Sequence, residues 1–154
     1  MIKAIRHTGI VVSDLNKALH FYRDLLGMRI VKDMDEGGDY IDALLSLEGA
    51  SVRTIKMEAD DGNLIELLYF ISHLRKPKNR DVTEIGCSHV SFTVENLDEE
   101  YKRLRENDII FNSPPKTSPD GYAKVAFCRD PDGVWIELVE VLNEIGRASC
   151  RERV

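Results

Sequence analysis

The sequence has no long hydrophobic run. Its longest strictly apolar stretch is five residues, Leu67 to Ile71. A bilayer span needs about 20, so a transmembrane helix is excluded. The opening segment, MIKAIRHTG, reaches a histidine and a glycine before an apolar stretch can form. That argues against a signal peptide and predicts a cytoplasmic protein. Basic residues are in deficit, 21 against 27 acidic, for a net charge of −6. With no dominant basic patch, a nucleic-acid partner is not expected. Cysteine is scarce: Cys87, Cys128 and Cys150 cannot all pair within one chain, and their spacing fits no zinc motif. Free thiols in a reducing compartment follow.

What remains is ordinary soluble composition, 43% hydrophobic and 31% charged over 154 residues. That is enough for one domain, or for two half-domains that share a sheet. The last eight residues, RASCRERV, hold three of the 21 basic residues and no apolar period. They read as a vector-derived or disordered tail over 147–154, which leaves one domain over residues 1–146.

A weak internal repeat organises that domain. His7-Thr-Gly-Ile-Val-Val-Ser-Asp-Leu15 returns as His89-Val-Ser-Phe-Thr-Val-Glu-Asn-Leu97, an offset of 82. Gly62-Asn-Leu-Ile-Glu-Leu67 returns as Gly133-Val-Trp-Ile-Glu-Leu138, an offset of 71. The first module therefore carries an 11-residue insertion between its histidine and its glutamate. Tyr40 to Leu47, with Ile41, Leu44 and Leu45 at helical spacing, predicts a short extra helix there.

Each half reads as βαβββ, with modules at about 3–71 and 85–142, and the fold class as α+β. In the first module, Ile5–Val12 is a strand. Asp14–Leu26 is a helix capped by Asp14 or Ser13 and ended by Gly27. Met28–Lys32 is a strand, and Val52–Glu58 with Leu64–Ile71 forms a hairpin. In the second, Cys87–Val94 is a strand. Asn96 and Glu99 start a helix over Leu97–Asn107 in the manner of a capping box. Ile109–Asn112, Tyr122–Cys128 and Val134–Val141 are strands. The polar linker Ser72–Glu84 and the three-proline stretch Ser113–Gly121 read as loops, and either could close over a substrate.

Strand alternation then places the chemistry. Ile10 and Val12 oppose His7, and Ile65 and Leu67 oppose Glu66. Val90, Phe92 and Val94 oppose His89, and Ile136 and Leu138 oppose Glu137. All four polar side chains project from faces the helices leave uncovered. A lone strand histidine is usually only tolerated there. Two of four histidines at equivalent repeat positions, each with a matching glutamate, form a different pattern. Unpaired carboxylates between apolar flanks are costly. A divalent cation held by two imidazoles and two carboxylates would offset that cost, and such a donor set suits zinc, nickel, cobalt, manganese or iron(II). His20, on a helix surface, and His73, opening the linker, do not share this logic.

These residues resemble the vicinal oxygen chelate superfamily, which includes glyoxalase I, methylmalonyl-CoA epimerase, extradiol dioxygenases, and bleomycin and fosfomycin resistance proteins. The motifs that carry the resemblance are His7–Leu15, Phe21-Tyr-Arg-Asp-Leu-Leu-Gly27 and Asp130-Pro-Asp-Gly-Val-Trp-Ile-Glu-Leu138, within about Ala4 to Leu142. The resemblance implies paired βαβββ modules curving into a mixed sheet with a metal-binding cleft, and usually a homodimer. His7, Glu66, His89 and Glu137 match the metal ligands. The four-ligand set favours glyoxalase I-like lyase or isomerase chemistry on a small molecule, with Glu137 or Glu66 as base and Glu137 preferred. An epimerase of the methylmalonyl-CoA type, a metal-dependent dioxygenase or resistance protein, and a metal-free ligand-binding protein are the alternatives. Glutathione-using members resemble an arginine at the position of Val11. Valine cannot hold a carboxylate, which argues against glutathione. Arg6, Arg53, Lys56, Lys124 and Arg129 are spare cations that either face solvent or bind an acidic substrate, and Trp135 could stack on a ligand or fill the core.

Overall fold

The computed structural model describes residues 1–142. Cys150, the 147–154 tail and the end of the expected domain at 146 lie outside the described residues. One compact unit spans Met1–Lys78, and a second begins at Asn79, inside the expected linker. No helix among the described residues is long and apolar enough to cross a membrane.

The first unit runs β1 (Thr8–Val11), α1 (Leu15–Leu19), β2 (Arg29–Gly37), α2 (Asp39–Leu45), β3 (Ser51–Glu58) and β4 (Leu64–Phe70), with strand order β1-β4-β3-β2. The second runs β5 (His89–Thr93), α3 (Leu97–Glu106), β6 (Lys116–Thr117), β7 (Ala123–Arg129) and β8 (Trp135–Val141), in the equivalent order β5-β8-β7-β6. Each sheet has one parallel pair, β1 with β4 and β5 with β8, and is otherwise antiparallel. The two four-stranded mixed sheets give the α+β class.

Local chemistry sets the element ends. The Asp14 carboxylate accepts from the Lys17 amide, and the Asn96 side chain accepts from the Glu99 amide, so both expected caps form. Past Leu19 the first helix widens into a π-helical turn over His20–Leu25, with the Leu26 amide donating to the Phe21 carbonyl at 2.9 Å. Gly27, at φ 75°, ends it. Helix α2 falls where the repeat offsets require an insertion.

Several expectations change. Strand β1 begins at Thr8 and not at Ile5, so His7 stands just ahead of it. Strand β2 extends to Gly37, well past Lys32. It is an edge strand exposed along most of its length, so burial imposes no apolar alternation on its sequence. Ile109–Asn112 is not a strand. Ile110 is 78% exposed, and only a single bridge joins Phe111 to Cys128. The edge pairing falls instead on Lys116–Thr117, inside the stretch read as loop. Prolines cannot donate to a ladder, so Pro114 and Pro115 interrupt pairing there, as an edge position tolerates.

The buried faces are the expected ones. Ile10, Ile55, Met57, Ile65 and Leu67 are buried in the first sheet, and Ala126, Cys128, Ile136 and Leu138 in the second. Burial pushes the Cys128 thiol up to about 12. Because the folded value lies above the unfolded one, this thiol's stabilising contribution is intact below about pH 9 and is lost as pH rises toward 12. Cys87 is exposed. At pH 8, iodoacetamide should therefore modify Cys87 and spare Cys128 in the folded protein, as read by peptide mass spectrometry. Equal labelling of the two would contradict this.

Candidate functional site

In the first unit, Gly9 lies opposite Glu66 across the parallel pair of β1 and β4. Glu66 projects away from the buried face that holds Ile65 and Leu67. His7 meets it there, with Nε2 3.2 Å from Oε2. The His7 Nδ1 atom is buried and has no hydrogen-bond partner. The hairpin turn at Asp60–Asn63, with Gly62 at φ 84°, folds β3 back so that Lys56 stands opposite Glu66. Its Nζ lies 3.4 Å from Glu66 Oε1.

Helix α2 covers the far end of this same face. Ile41 packs with Ala50 and Val52, and Leu47, Leu68 and Phe70 close around them. Val52 faces Phe70 across β3 and β4, two register rows beyond Lys56 and Glu66. The Asp42 carboxylate anchors the insertion by accepting from the amides of Gly49 at 2.8 Å and Ala50 at 2.7 Å.

In the second unit, β5 sets His89 beside Trp135 and Ser91 beside Glu137 on β8. His89 Nε2 lies 3.6 Å from Glu137 Oε2. Its Nδ1 meets the Ser88 hydroxyl at 3.1 Å. Phe127 stands opposite Glu137 on β7, where the first unit has Lys56, and its ring meets His89 edge-on at 5.3 Å between centroids. The buried Asp130 carboxylate accepts from the amides of Asp132 and Val134, which shapes the turn that feeds Glu137 into place.

The structure thus joins the four sequence-derived candidates as two His–Glu pairs, one in each unit. Among the described residues no three His, Cys, Asp or Glu side chains converge on one point. The first pair has the spacing of two ligands on one ion, and the second is slightly wider. Two ligands about 2.1 Å from one ion and about 90–110° apart lie about 3.0–3.4 Å from each other. The N···O separation of 3.2 Å falls inside that range and 3.6 Å just outside it. The Ser88 hydroxyl at the second ring nitrogen of His89 is the kind of partner that orients a ligating imidazole. His7 has no such partner.

The other candidates sort by what they touch. Arg53 pairs with Asp33, and this partnership holds the Asp33 carboxyl below its ordinary value. Lys124 binds Asp98 at 2.6 Å, while Glu140 accepts from the Leu97 amide, so both fasten α3 to its sheet. Arg129 lies 4.0 Å over the Trp135 ring and also reaches the Asn79 side chain. Trp135 is buried, and its indole N–H donates to the Arg80 carbonyl at 3.2 Å. It fills the core and pins residues 79–81 of the linker, so it offers no stacking face. Lys56 alone of the five cations touches a candidate ligand. In the sequence alone it is one spare cation among five. The turn register held the signal, because a hairpin folded at Asp61 puts Lys56 opposite Glu66.

Comparison with known proteins agrees with this architecture. A family profile described as Glyoxalase/Bleomycin resistance protein/Dioxygenase superfamily matches residues 4–138. A lactoylglutathione lyase from Schizosaccharomyces pombe is 30% identical over 149 residues, which is 88% of this chain. The chain spans about half of that protein's length, 46%. A lactoylglutathione lyase from Pseudomonas aeruginosa is 30% identical over 92% of this chain and 85% of its own. A crystal structure of a glyoxalase family protein from Bacillus cereus superposes with a TM-score of 0.83 at 23% identity, covering 93% of this chain and 97% of that one. That last likeness concerns the fold.

Proposed function

Because the chain belongs to the glyoxalase/bleomycin resistance protein/dioxygenase superfamily, we propose that it is a divalent-metal-dependent lyase or isomerase of glyoxalase I type. It would move a proton next to the carbonyl of a small hydroxy-carbonyl or thioester substrate. The observation that carries this reading is the duplicated His–Glu pair on equivalent strands. His7, Glu66, His89 and Glu137 would ligate one ion, the pairs being drawn from one chain or from two copies. The relatives named lactoylglutathione lyase support an enzyme over a passive binder.

A proton next to a carbonyl is hard to remove because the resulting enolate is unstable. A bound divalent ion supplies Lewis-acid stabilisation of that developing negative charge. Glu137 takes the proton and delivers it to the adjacent carbon, or exchanges it with water before a proton is restored. Glu66, paired to Lys56, stays in place as a ligand. Val11, 58% exposed beside Leu68, offers no charge to a glutathione carboxylate, which points to a substrate without that thiol.

A substrate deuterated at the carbon next to its carbonyl tests the reaction class. The label should pass to water or to the neighbouring carbon, with no oxygen consumed. Label retained at its original carbon in the product, or oxygen uptake in step with turnover, would overturn the reading.

A further inference from the structure

We propose that Lys56 and Lys32 form an anion-binding end to the first unit's site face, so that the substrate is a carbonyl compound carrying a carboxylate or phosphate. The inference rests on the proton-transfer reading for the words carbonyl compound, and on the sheet itself for the anion.

Registers place the two lysines. Lys32 on β2 lies directly opposite Lys56 on β3, and Lys56 directly opposite Glu66 on β4. Residues in register share a face, so Lys32, Lys56 and Glu66 form one row across the site face. The row continues to Gly9 on β1, which contributes no side chain. Two ammonium groups thus stand against one carboxylate. Like charges directly opposite across a strand pair are destabilising unless a counter-charge joins them.

The neighbouring rows do not supply that counter-charge. Glu58, one row along, is taken by Arg29 at 2.7 Å. Asp33 sits on the opposite face with Arg53. Thr54, Leu68 and Met34 fill the row on the other side without charge. Among the described residues the Lys32 side chain makes no ion pair or hydrogen bond.

Lys56 has capacity to spare. Its side chain is 23% exposed, and at 3.4 Å its contact with Glu66 is an ion pair longer than a normal charge-assisted hydrogen bond. An ammonium carries three donors, and Glu66 occupies one side of it. An oxyanion seated between the two lysines would balance the row and sit beside the carboxylate proposed as a ligand. The second unit has Phe127 at the equivalent place.

Pyruvate and hydroxyacetone make a matched pair of probes, both small carbonyl compounds, one charged and one neutral. Their binding to the metal-supplemented full chain would be followed by ligand-observed NMR. The wild type should prefer pyruvate by about tenfold, the size expected for a hydrogen bond to a charged group. Lys56→Met should erase that preference, Lys56→Arg should keep most of it, and Lys32→Met should reduce it about threefold, as a more exposed charge does. Circular dichroism on each variant checks that the fold survives. No pyruvate preference in the wild type, or an unchanged one in Lys56→Met, overturns the proposal. Lys32 would then be a guard on the sheet edge and Lys56 a plain counter-ion of Glu66. Metal content of the same samples keeps the two readings apart. Metal bound without a pyruvate preference overturns only the lysine proposal, and no metal in the wild type overturns the metal-dependent reading whatever the lysines do.

Discussion

Glu137→Gln leaves a folded protein whose turnover falls by at least about 100-fold, the low end for losing a general acid–base group. Glutamine keeps the shape of the side chain and one oxygen ligand but cannot carry a proton. The fold should tolerate it, because β8 is anchored through Ile136 and Leu138 on the opposite, buried face. The choice of Glu137 over Glu66 rests on the asymmetry between the units. Lys56 lies 3.4 Å from Glu66, and this ion pair holds the side chain in place. Glu137 faces Phe127, and among the described residues only His89, at 3.6 Å, is within reach to share its charge. Steady-state kinetics on the labelled substrate is the check. Turnover in Glu137→Gln near wild type, with Glu66→Gln inactive, would reverse the assignment of the two carboxylates.

His89→Ala is expected to weaken divalent-metal binding by more than about 100-fold. Losing an outer partner of a metal ligand typically costs 10–100-fold, so losing the ligand itself should cost more. His89 is the better-held of the two imidazoles. Ser88 fixes its second nitrogen at 3.1 Å, and the Phe127 edge limits its rotation. Its removal leaves the Glu137 carboxylate without that neighbour, while the packed face of β8 is untouched. Competition with a chromophoric chelator measures the affinity directly. An affinity within about tenfold of wild type would show that His89 only lines the site.

Much of this was legible because burial writes a period into the sequence. Strands with one buried face alternate, and that alternation places Glu66, His89 and Glu137 on the faces where they are found, with His7 one residue ahead of β1. The mismatch between the two repeat offsets requires an insertion in the first module, and the spacing of Ile41, Leu44 and Leu45 marks α2 within it. Asp14 and Asn96 gave the starts of α1 and α3 through side-chain chemistry that requires no tertiary context. Where burial writes nothing, reading failed. Strand β2 is charged along an exposed edge, and β6 is two residues inside a proline-rich stretch. The π-helical turn at His20–Leu25 differs from an α-helix by one residue of hydrogen-bond offset, which no apolar pattern of that length distinguishes.

The site shows the same division. The two His–Glu pairs follow from single-strand alternation, and the structure closes each to hydrogen-bonding or near-ligand distance. The cations were harder, because their roles depend on cross-strand and helix–sheet neighbours. Lys124 looked available and instead fastens α3, and Arg129 lies over Trp135. Lys56, weighed alone, gave no hint of its place against Glu66. The competing view, a metal-free protein that binds a small ligand, draws on that same contact, since Lys56 already balances the Glu66 charge.

Metal content by plasma mass spectrometry, on the wild type and on His7→Ala after reconstitution with divalent ions, decides between them. The expected result is about one equivalent of divalent metal per pair of His–Glu units in the wild type and little in the variant. A wild-type protein that takes up no metal, or a His7→Ala protein that keeps it, would contradict the four-residue site and leave the two pairs as the lining of a binding surface.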